Sequence, residues 1–522
     1  MHLLKDINYK KVITSRITVT ALMILLEMAL LLGVFWRAVQ YSWFIMGAFS
    51  LLSFLYVFYL LLKDDNASYR MGWILFIVLI PPFGAFIYML WGDKKPGKKL
   101  QSKLNLSHLA MEKYLEDHID TCKALEMVSQ RAVATARYIK KTSGYPVHRN
   151  TDVKYFPVGE AMFEAMLEDL KKAKHFIFLE FFIVQEGEMW GRMLEVLLAK
   201  AKEGVEIRML YDDMGSVALL PFGYAKKMES MDPHIKCTPF NPVVPFLAMV
   251  MNNRDHRKIL VIDGHIGYTG GVNLSDEYIN AVERFGHWKD TGVRLAGAGV
   301  WNLTAMFMEM WNACSNGKLI PEEHQVDTYI HEAEMLQDTQ YKGFVLPYGD
   351  DPLDEERVGE DVYLEILHQA KQYVYIMTPY LILDDEMKRA LVMAAKRGVD
   401  VRIVTPGIPD KKIVFRLTRA NYKPLLDAGV KIYEYTPGFV HAKSFICDDT
   451  VGVVGTINLD YRSLYLHFEC AVWMYKVPAL ADLKKDTMET IEKSRMIYKE
   501  DVHTKGVGAV FDGILRIMAP LL

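Results

Sequence analysis

The sequence predicts an α/β protein in which two α-β-α sandwich repeats form one shared site and follow an apolar helical N-terminal region. Three observations support this prediction. Long apolar runs are concentrated in the first 99 residues of the 522-residue chain. Helix and strand patterns then alternate in two similar series, and a set of polar residues recurs with them. The length is sufficient for two to four domains, each with its own core.

Three apolar runs occupy the N-terminal region, namely Val19–Val39, Trp43–Leu62 and Met71–Trp91. Each is long enough to cross a hydrocarbon core of about 30 Å, which takes about 20 helical residues. Lysines flank the three runs on both sides, which favours an even number of crossings, so one run is expected to be interfacial or re-entrant. The double proline at 81–82 permits a kink in the third run. Residues 1–99 are therefore predicted to be a transmembrane anchor with two or three spans.

The rest of the chain has an ordinary soluble composition. Residues 100–145 are charged and helix-favouring, which predicts a helical connector. Residues 146–330 are predicted to form the first repeat. Residues 331–522 are predicted to form the second repeat, which ends in an amphipathic helix that either lies at a membrane interface or packs on the protein.

Matched segments define the two repeats. The helix end and apolar strand of Asp169–Val184 recur in Ile366–Leu383, and the helix, glycine turn and strand of Leu197–Asp213 recur in Leu391–Gly407. Helices that alternate with short buried strands indicate a sheet covered by helices. Because both segments recur in the same order, two copies of such a sheet are expected.

The charge and the cysteine content indicate which partners and which cellular compartment fit the sequence. Lys plus Arg is 61 and Asp plus Glu is 64, so the formal net charge is −3. Nucleic-acid-binding proteins usually carry a basic excess, so no nucleic-acid partner is predicted. Dispersed cysteines without a CxxC pair fit reduced thiols in a cytoplasm-facing protein. The five cysteines are Cys122, Cys237, Cys314, Cys447 and Cys470.

Each half contains a His-x-Lys motif with an aspartate five residues after the lysine. The two sets are His256, Lys258 and Asp263 in the first half, and His441, Lys443 and Asp448 in the second. A glycine turn and an asparagine follow each motif. The interval from histidine to asparagine is 17 residues in both halves (273 − 256 and 458 − 441), which identifies Asn273 and Asn458. Two matched sets are a much stronger signal than one His-x-Lys alone.

These residue types are suited to binding a phosphodiester and displacing a group at its phosphorus. On a strand, a histidine and the lysine two residues later point to the same face. Two such sets would supply two imidazoles, two ammonium groups and two carboxamides to one pocket. The lysines and asparagines would stabilise charge on the phosphoryl oxygens, one imidazole would attack phosphorus, and the other would protonate the leaving alcohol. No metal and no cofactor is predicted, because the positive groups are already present.

The aspartates of the two motifs are candidates for catalysis by their place in the motif. Asp263 and Asp448 nevertheless have the opposite strand parity from the histidines and lie at turns, which favours a structural role. Two further acids, Asp290 and Glu469, follow their respective histidines at similar distances in strand-like segments. They are candidates for orienting the imidazoles, with ordinary salt bridges as the alternative. The histidines without a counterpart in the other half are interpreted as structural or solvated: His175, His234, His265, His287 and His467.

The paired motifs resemble those of the phospholipase D superfamily, and the wider context resembles bacterial cardiolipin synthases. The stretches that carry the resemblance are Asn253–Ile279, Trp288–Gly297, Ala428–Asp449, Gly455–Glu469, Ile80–Gly92 and the C-terminal APLL. The resemblance implies that two phosphatidylglycerol molecules give cardiolipin and glycerol through a phosphohistidine. It also implies that His256 is the nucleophile and His441 the general acid. A multi-pass cell-membrane protein with its catalytic part on the cytoplasmic side is expected. The oligomeric state stays open.

Other functions remain compatible with the same residues. A hydrolytic phospholipase D or another phosphatidyltransferase would use the same phosphohistidine and differ in the acceptor and in the exclusion of water. An endonuclease of the superfamily conflicts with the apolar runs and the near-neutral charge. A catalytically dead scaffold conflicts with intact motifs in both halves. The apolar run Pro239–Asn253 is predicted to contact lipid, with burial in the core as the alternative.

Overall fold

The protein is described by a computed structural model. It describes residues 43–63, 66–81, 83–92, 98–242, 253–315, 342–354, 356–502 and 506–519, together with Tyr329 and isolated positions between residues 18 and 37. Most of the apolar run Val19–Val39 and most of Pro239–Asn253 therefore lie outside the described residues.

The N-terminal region contains helices α1 (Trp43–Leu62), α2 (Ala67–Leu79) and α3 (Phe83–Trp91). The third apolar run of the sequence is thus divided between α2 and α3 at the double proline. A Cβ on Gly84 would lie 2.6 Å from the Cα of Ile77, so glycine at this position allows α3 to pack closely on α2.

Among the helices of the described segments, none combines the length and the apolar character required to cross a membrane. The transmembrane spans expected from the sequence are therefore not confirmed.

The first repeat is built on a seven-stranded sheet with the order β1-β9-β7-β6-β2-β3-β4. The three strands β2, β3 and β4 run parallel, and the remaining pairs are antiparallel. Its strands are β1 (Thr151–Phe156), β2 (Phe176–Phe181), β3 (Glu206–Asp212), β4 (Ile235–Phe240), β6 (Lys258–Ile262), β7 (Ile266–Gly270) and β9 (Gly292–Gly297).

The second repeat is built on a nine-stranded sheet with the path β10-β17-β16-β15-β11-β12-β13-β18, and the short strand β5 pairs with β17. A separate two-stranded sheet joins β8 to β14. The strands are β5 (Arg254–Asp255), β8 (His287–Lys289), β10 (Phe344–Asp350), β11 (Tyr373–Met377), β12 (Asp400–Pro406), β13 (Lys431–Tyr435), β14 (Gly438–Val440), β15 (Ser444–Cys447), β16 (Val451–Gly455), β17 (His467–Tyr475) and β18 (Ser494–Ile497).

Helices cover both sheets and connect the repeats. They are α4 (Lys98–Glu112), α5 (Ile119–Val128), α6 (Gln130–Ser143), α7 (Gly159–Leu170), α8 (Glu188–Lys202), α9 (Tyr224–Glu229), α10 (Val300–Cys314), α11 (Val358–Gln369), α12 (Asp385–Lys396), α13 (Lys412–Ala420), α14 (Tyr422–Ala428), α15 (Tyr461–Tyr465), α16 (Ala479–Glu492) and α17 (Val507–Met518). Short 3₁₀ turns occupy Asp276–Ile279 and Lys499–Val502.

The two sheets share one topology. The order β9-β7-β6-β2-β3-β4 of the first repeat corresponds to β17-β16-β15-β11-β12-β13 of the second. The predicted α/β fold with two repeats is therefore confirmed. Strands β5 and β8 of the first repeat pair with β17 and β14 of the second, so the chain segments around the two His-x-Lys motifs cross from one repeat to the other.

Candidate active site

The two motif histidines lie where the repeats meet. His256 stands between β5 and β6, and its backbone N–H donates to the carbonyl of Phe468, 2.9 Å away. His441 stands between β14 and β15, and its backbone N–H donates to the carbonyl of Lys289, 2.7 Å away. Both side chains are buried. Each motif is therefore fixed by a hydrogen bond to the other repeat.

The carboxylate of Glu469 contacts the imidazole of His256 across the repeat interface. The imidazole Nδ1 of His256 lies 2.8 and 2.9 Å from the two carboxylate oxygens of Glu469. The hydroxyls of Thr456 and Ser463 donate to the same carboxylate, which has no exposed surface. With Nδ1 occupied, Nε2 is the nitrogen that His256 can use for chemistry.

Asp290 holds His441 in the same way. Its Oδ2 lies 2.6 Å from the Nδ1 of His441, and its Oδ1 accepts a hydrogen bond of 2.9 Å from the backbone of Thr291. A Cβ on Gly271 would lie 1.9 Å from Oδ1 of Asp290, so the glycine turn leaves room for this carboxylate.

The pairing of acids and histidines is crossed. The sequence placed Asp290 after His256 and Glu469 after His441, each within its own half. In the structure, Asp290 binds His441 and Glu469 binds His256. The exchange follows from the strand pairs β8–β14 and β5–β17, which bring each acid beside the motif of the other repeat.

The two motif lysines are buried beside the imidazoles. The Nζ of Lys258 donates to the carbonyl of His256 at 2.6 Å. The Nζ of Lys443 lies 2.8 and 3.0 Å from Nδ1 and Nε2 of His441. Burial lowers the pKa of Lys258 to about 8 and that of Lys443 to about 7. Both groups therefore titrate close to neutral pH when no anion is present.

The imidazoles are held neutral in the same environment. Burial, followed by the charge of Lys258, lowers the pKa of His256 well below its ordinary value. Burial and then the charge of Lys443 lower the pKa of His441 to about 4, although Asp290 opposes the shift. Burial also raises the pKa of Glu469 well above its ordinary value. A neutral imidazole is nucleophilic, and an anionic substrate would favour the protonated form needed for acid catalysis.

The two asparagines occupy corresponding positions but have different partners. Oδ1 of Asn273 accepts from the backbone N–H of Ile183 at 3.0 Å, and its Nδ2 donates to the hydroxyl of Tyr278 at 2.8 Å. The ring of Tyr278 lies 5.4 Å from that of His441. In Asn458 the Oδ1 atom is buried without a hydrogen-bond partner. Phosphate binding by these amides stays a prediction.

Asp263 and Asp448 lie away from the histidine pair. At about 3.3 Å per residue, the step of seven positions from histidine to aspartate spans about 23 Å of extended chain. Each carboxylate instead accepts three backbone N–H groups from the start of the neighbouring strand. The donors are Lys174, His175 and Phe176 for Asp263, and Lys371, Gln372 and Tyr373 for Asp448. These contacts agree with the structural alternative for both aspartates, and a catalytic role for them stays a prediction.

Aromatic rings complete the walls of the site, and sequence reasoning missed them. The ring of His467 lies 5.9 Å from that of His256, and the ring of Trp288 lies 5.3 Å from that of His441. Each stands two residues before one of the two acids that contact the motif histidines. Strand parity could have identified both, because residues i and i+2 point to one face. His467 thus lies in the site, contrary to its interpretation as a structural or solvated residue.

A pH profile tests the role of the two lysines. Because their folded-state pKa values are lowered to about 8 and about 7, the ammonium charges are lost as the pH rises through this range. We expect kcat/KM, which reports the free enzyme, to fall with rising pH above about 7 to 8. Lys443→Arg should move this decline to higher pH, because a guanidinium stays charged. A kcat/KM that stays constant up to pH 10 would contradict a role for the lysine charges.

Two protein-family models match this chain. The family model described as "Cardiolipin synthase, PLD-like domain" matches residues 166–284 and residues 363–491, once in each half of the chain. A second family model, described as "Phospholipase_D-nuclease N-terminal", matches residues 51–92.

Individual proteins are similar over most of the chain. An uncharacterized protein of Streptococcus mutans is 46% identical over 472 residues, which cover 89% of this chain and 99% of that protein. Cardiolipin synthase 2 of Bacillus anthracis is 32% identical over 477 residues, 91% of each chain. The crystal structure of phosphatidylserine synthase from Haemophilus influenzae superposes with a TM-score of 0.53 at 14% identity, covering 71% of this chain and 93% of that one. At this identity the structural match shows the fold alone.

Proposed function

We propose that this chain, which belongs to the cardiolipin synthase family of the phospholipase D superfamily and is a phosphatidyltransferase, converts two phosphatidylglycerol molecules into cardiolipin and glycerol. The observation that carries the proposal is the crossed pair of His–carboxylate contacts, His256 with Glu469 and His441 with Asp290. It supplies two oriented imidazoles to one site.

In the first step, Nε2 of His256 attacks the phosphorus of the donor phosphatidylglycerol. A P–N bond forms, and the P–O bond to the headgroup glycerol breaks. His441, protonated on Nε2, gives its proton to the departing oxygen, and glycerol leaves. Lys258 and Lys443 stabilise the negative charge on the phosphoryl oxygens during the displacement. Glu469 stabilises the positive charge that develops on His256.

In the second step, the headgroup hydroxyl of another phosphatidylglycerol attacks the phosphohistidine. Nε2 of His441 now accepts the hydroxyl proton, the new P–O bond forms, and the P–N bond breaks. The products are cardiolipin and neutral His256, with His441 protonated for the next cycle. Attack by water would give phosphatidic acid instead, so the acceptor and the exclusion of water decide between synthesis and hydrolysis.

The proposal includes a position at the cell membrane. Helix α17 supports it, because this C-terminal amphipathic helix exposes apolar side chains: Val510, Phe511, Ile514 and Ile517. We assign residues 1–99 to a multi-pass anchor, residues 100–145 to the connector, and residues 146–330 and 331–522 to the two catalytic repeats on the cytoplasmic side. The substrate is then presented from the bilayer to the shared site.

Trapping the intermediate tests the mechanism. Purified protein is mixed rapidly with short-chain phosphatidylglycerol and examined by intact-protein and peptide mass spectrometry. We expect a phosphatidyl adduct on the peptide that contains His256 and no adduct in the His256→Ala variant. An adduct on His441 would reverse the two roles, and an adduct on neither residue would contradict the covalent route.

Chelation tests the source of positive charge. Within the segments that the structure describes, no three His, Cys, Asp or Glu side chains come together as a possible metal site. Since the lysines can supply the charge, we expect turnover in EDTA to equal turnover without it. Loss of activity in EDTA that is restored by a divalent cation would assign the charge to a metal instead.

A further inference from the structure

A groove between helices α13 and α17 has no part in the mechanism above. Its volume is about 420 Å³, and five cationic and two acidic side chains line it. The chain as a whole carries a formal net charge of −3, so the groove is a local concentration of positive charge. The cations are Lys412, Arg416, Arg419, Lys423 and Arg516, and the acids are Asp501 and Asp512.

Arg416 fastens α17 to α13 at the side of this groove. Its guanidinium pairs with the carboxylate of Asp512 and donates to the carbonyl of Gly508, 3.3 Å away. The same guanidinium lies 4.6 Å from the ring centre of Phe511. Within α13, Lys412, Arg416 and Arg419 are four and three residues apart, so they share one face of the helix. The cationic face of α13 is therefore turned towards α17.

Part of the positive charge in the groove is not neutralised by the protein. Three of the five cations form internal ion pairs, namely Arg416 with Asp512, Arg419 with Glu434 and Lys423 with Asp427. Among the residues that the structure describes, Lys412 and Arg516 have no ion-pair partner, and both side chains are exposed. An anion can therefore bind to these two cations without breaking an internal ion pair.

An exposed apolar face accompanies the groove. Val510, Ile514 and Ile517 are four and three residues apart, so they share one face of α17, and all three are exposed. Phe511, which contacts Arg416, is exposed as well, and Ile413 on α13 is 61% exposed. An apolar helix face bordered by cations is typical of a helix that lies at the surface of an anionic membrane.

Helix α17 also adjoins the apolar N-terminal region. A cavity of about 340 Å³ is lined by Ser68 and Met71 of α2 and by Gly513 and Ile517 of α17. Met71 is exposed. The C-terminal helix therefore lies next to the region that we assign to the membrane anchor. This position favours a lipid surface over a soluble protein as the partner of the exposed face.

We propose that α13 and α17 dock the second repeat on the surface of an anionic lipid bilayer. A headgroup phosphate lies in the groove between Lys412 and Arg516, and the apolar side chains around Ile514 enter the acyl region. This lipid stays in the bilayer and is not a reactant. The inference rests on the membrane position in the proposed function and not on the reaction. It adds the contact surface and the charge class of the lipid.

Hydrogen exchange in vesicles of two compositions tests the docking. The full-length protein is reconstituted into phosphatidylcholine alone and into an equimolar mixture of phosphatidylcholine and phosphatidylglycerol. Exchange of the amides of Val507–Met518 is followed by mass spectrometry. We expect it to be roughly tenfold slower in the anionic vesicles, because cations near an anionic surface favour the docked state. High salt should remove the difference. Conversion of two phosphatidylglycerols into one cardiolipin keeps both negative charges, so turnover leaves the surface charge unchanged.

A charge-reversal variant tests the groove itself. The double substitution Lys412→Glu and Arg516→Glu changes exposed side chains only, and α17 should then exchange equally fast in both kinds of vesicle. Lys485→Glu on α16 is the matched control, since its side chain is exposed, does not line the groove and lies 4.0 Å from Glu489. This control should keep the slower exchange in anionic vesicles. Thermal unfolding of each variant checks that the fold is retained.

Each outcome supports or overturns the inference. Equal exchange of α17 in the two kinds of vesicle for the unmodified protein would overturn docking on anionic lipid. Slower exchange that persists in the double variant would place the anion elsewhere and overturn the role of the groove. These readings do not depend on turnover. A protein that makes no cardiolipin but exchanges more slowly in anionic vesicles would therefore refute the proposed reaction and support the docking surface.

Discussion

Replacement of His256 or His441 by alanine is expected to abolish phosphatidyl transfer while the fold is retained. Residues that act as one catalytic unit cost on the order of 10⁴-fold or more in kcat when one is removed. Both side chains are buried between the repeats, and each alanine variant removes the imidazole partner of a buried carboxylate. A moderate loss of stability is therefore expected as well.

The two histidine variants should differ in where the reaction stops. His256→Ala removes the nucleophile, so it should release no glycerol even in the first turnover. His441→Ala keeps the nucleophile and loses the acid, so it should form the adduct very slowly. His234→Ala is a suitable control because His234 is exposed and its ring contacts the nearby Asp232, away from the site. Near-native turnover in either active-site variant would rule out a two-histidine mechanism.

Replacement of either acid in the crossed His–carboxylate pairs is expected to give the second large loss of activity. In Glu469→Gln and Asp290→Asn, the amide keeps the shape of the side chain but no longer fixes the tautomer or stabilises an imidazolium. We expect kcat to fall on the order of 10³- to 10⁴-fold, as for the acid of a catalytic triad. The loss should fall mainly on kcat rather than KM, because these acids act through the histidines.

Because each acid contacts the histidine of the other repeat, each acid variant can be compared with a particular histidine variant. Glu469→Gln should reproduce the defect of His256→Ala in first-turnover glycerol release, and Asp290→Asn should reproduce that of His441→Ala. Asp263→Asn is the matched control, because Asp263 accepts only backbone N–H groups near Phe176 and should affect stability more than kcat. The opposite correspondence, in which each acid acts with the histidine of its own half, would contradict the observed geometry.

Much of this site can be predicted from the sequence with local rules for strands, repeats and turns. The parity of a strand places Lys258 with His256 and Lys443 with His441. The interval from histidine to asparagine is the same in both halves, which predicts a repeat. The turn positions of the motif aspartates explain their structural role. Each has a backbone φ of +49°, which aspartate tolerates better than most residues.

The remainder depends on contacts between the repeats. Spacing along the chain gives the distance from His256 to Asp290, yet it does not show that β8 pairs with β14 of the other half. The pairing of Glu469 with His256 is for the same reason a property of the assembled fold. The rings of Trp288 and His467 were open to prediction by parity from these acids, since each precedes its acid by two residues.

In the N-terminal region, the hydropathy of the sequence and the packing of the helices lead to different descriptions of one segment. The hydropathy of Met71–Trp91 predicts one crossing, but the double proline removes backbone donors and ends α2 at Leu79. Helix α3 then packs on α2 because Gly84 admits the close contact. Hydropathy alone predicted the apolar character of this segment and not its division into two helices.

The measurement that tests the central claim most directly is lipid turnover by the purified, detergent-solubilised protein given phosphatidylglycerol alone, with the products resolved by mass spectrometry. We expect cardiolipin and glycerol in equal amounts, formed by the unmodified protein and by neither histidine variant. Phosphatidic acid without cardiolipin would make the protein a hydrolase. Absence of any product would contradict phosphatidylglycerol as the donor.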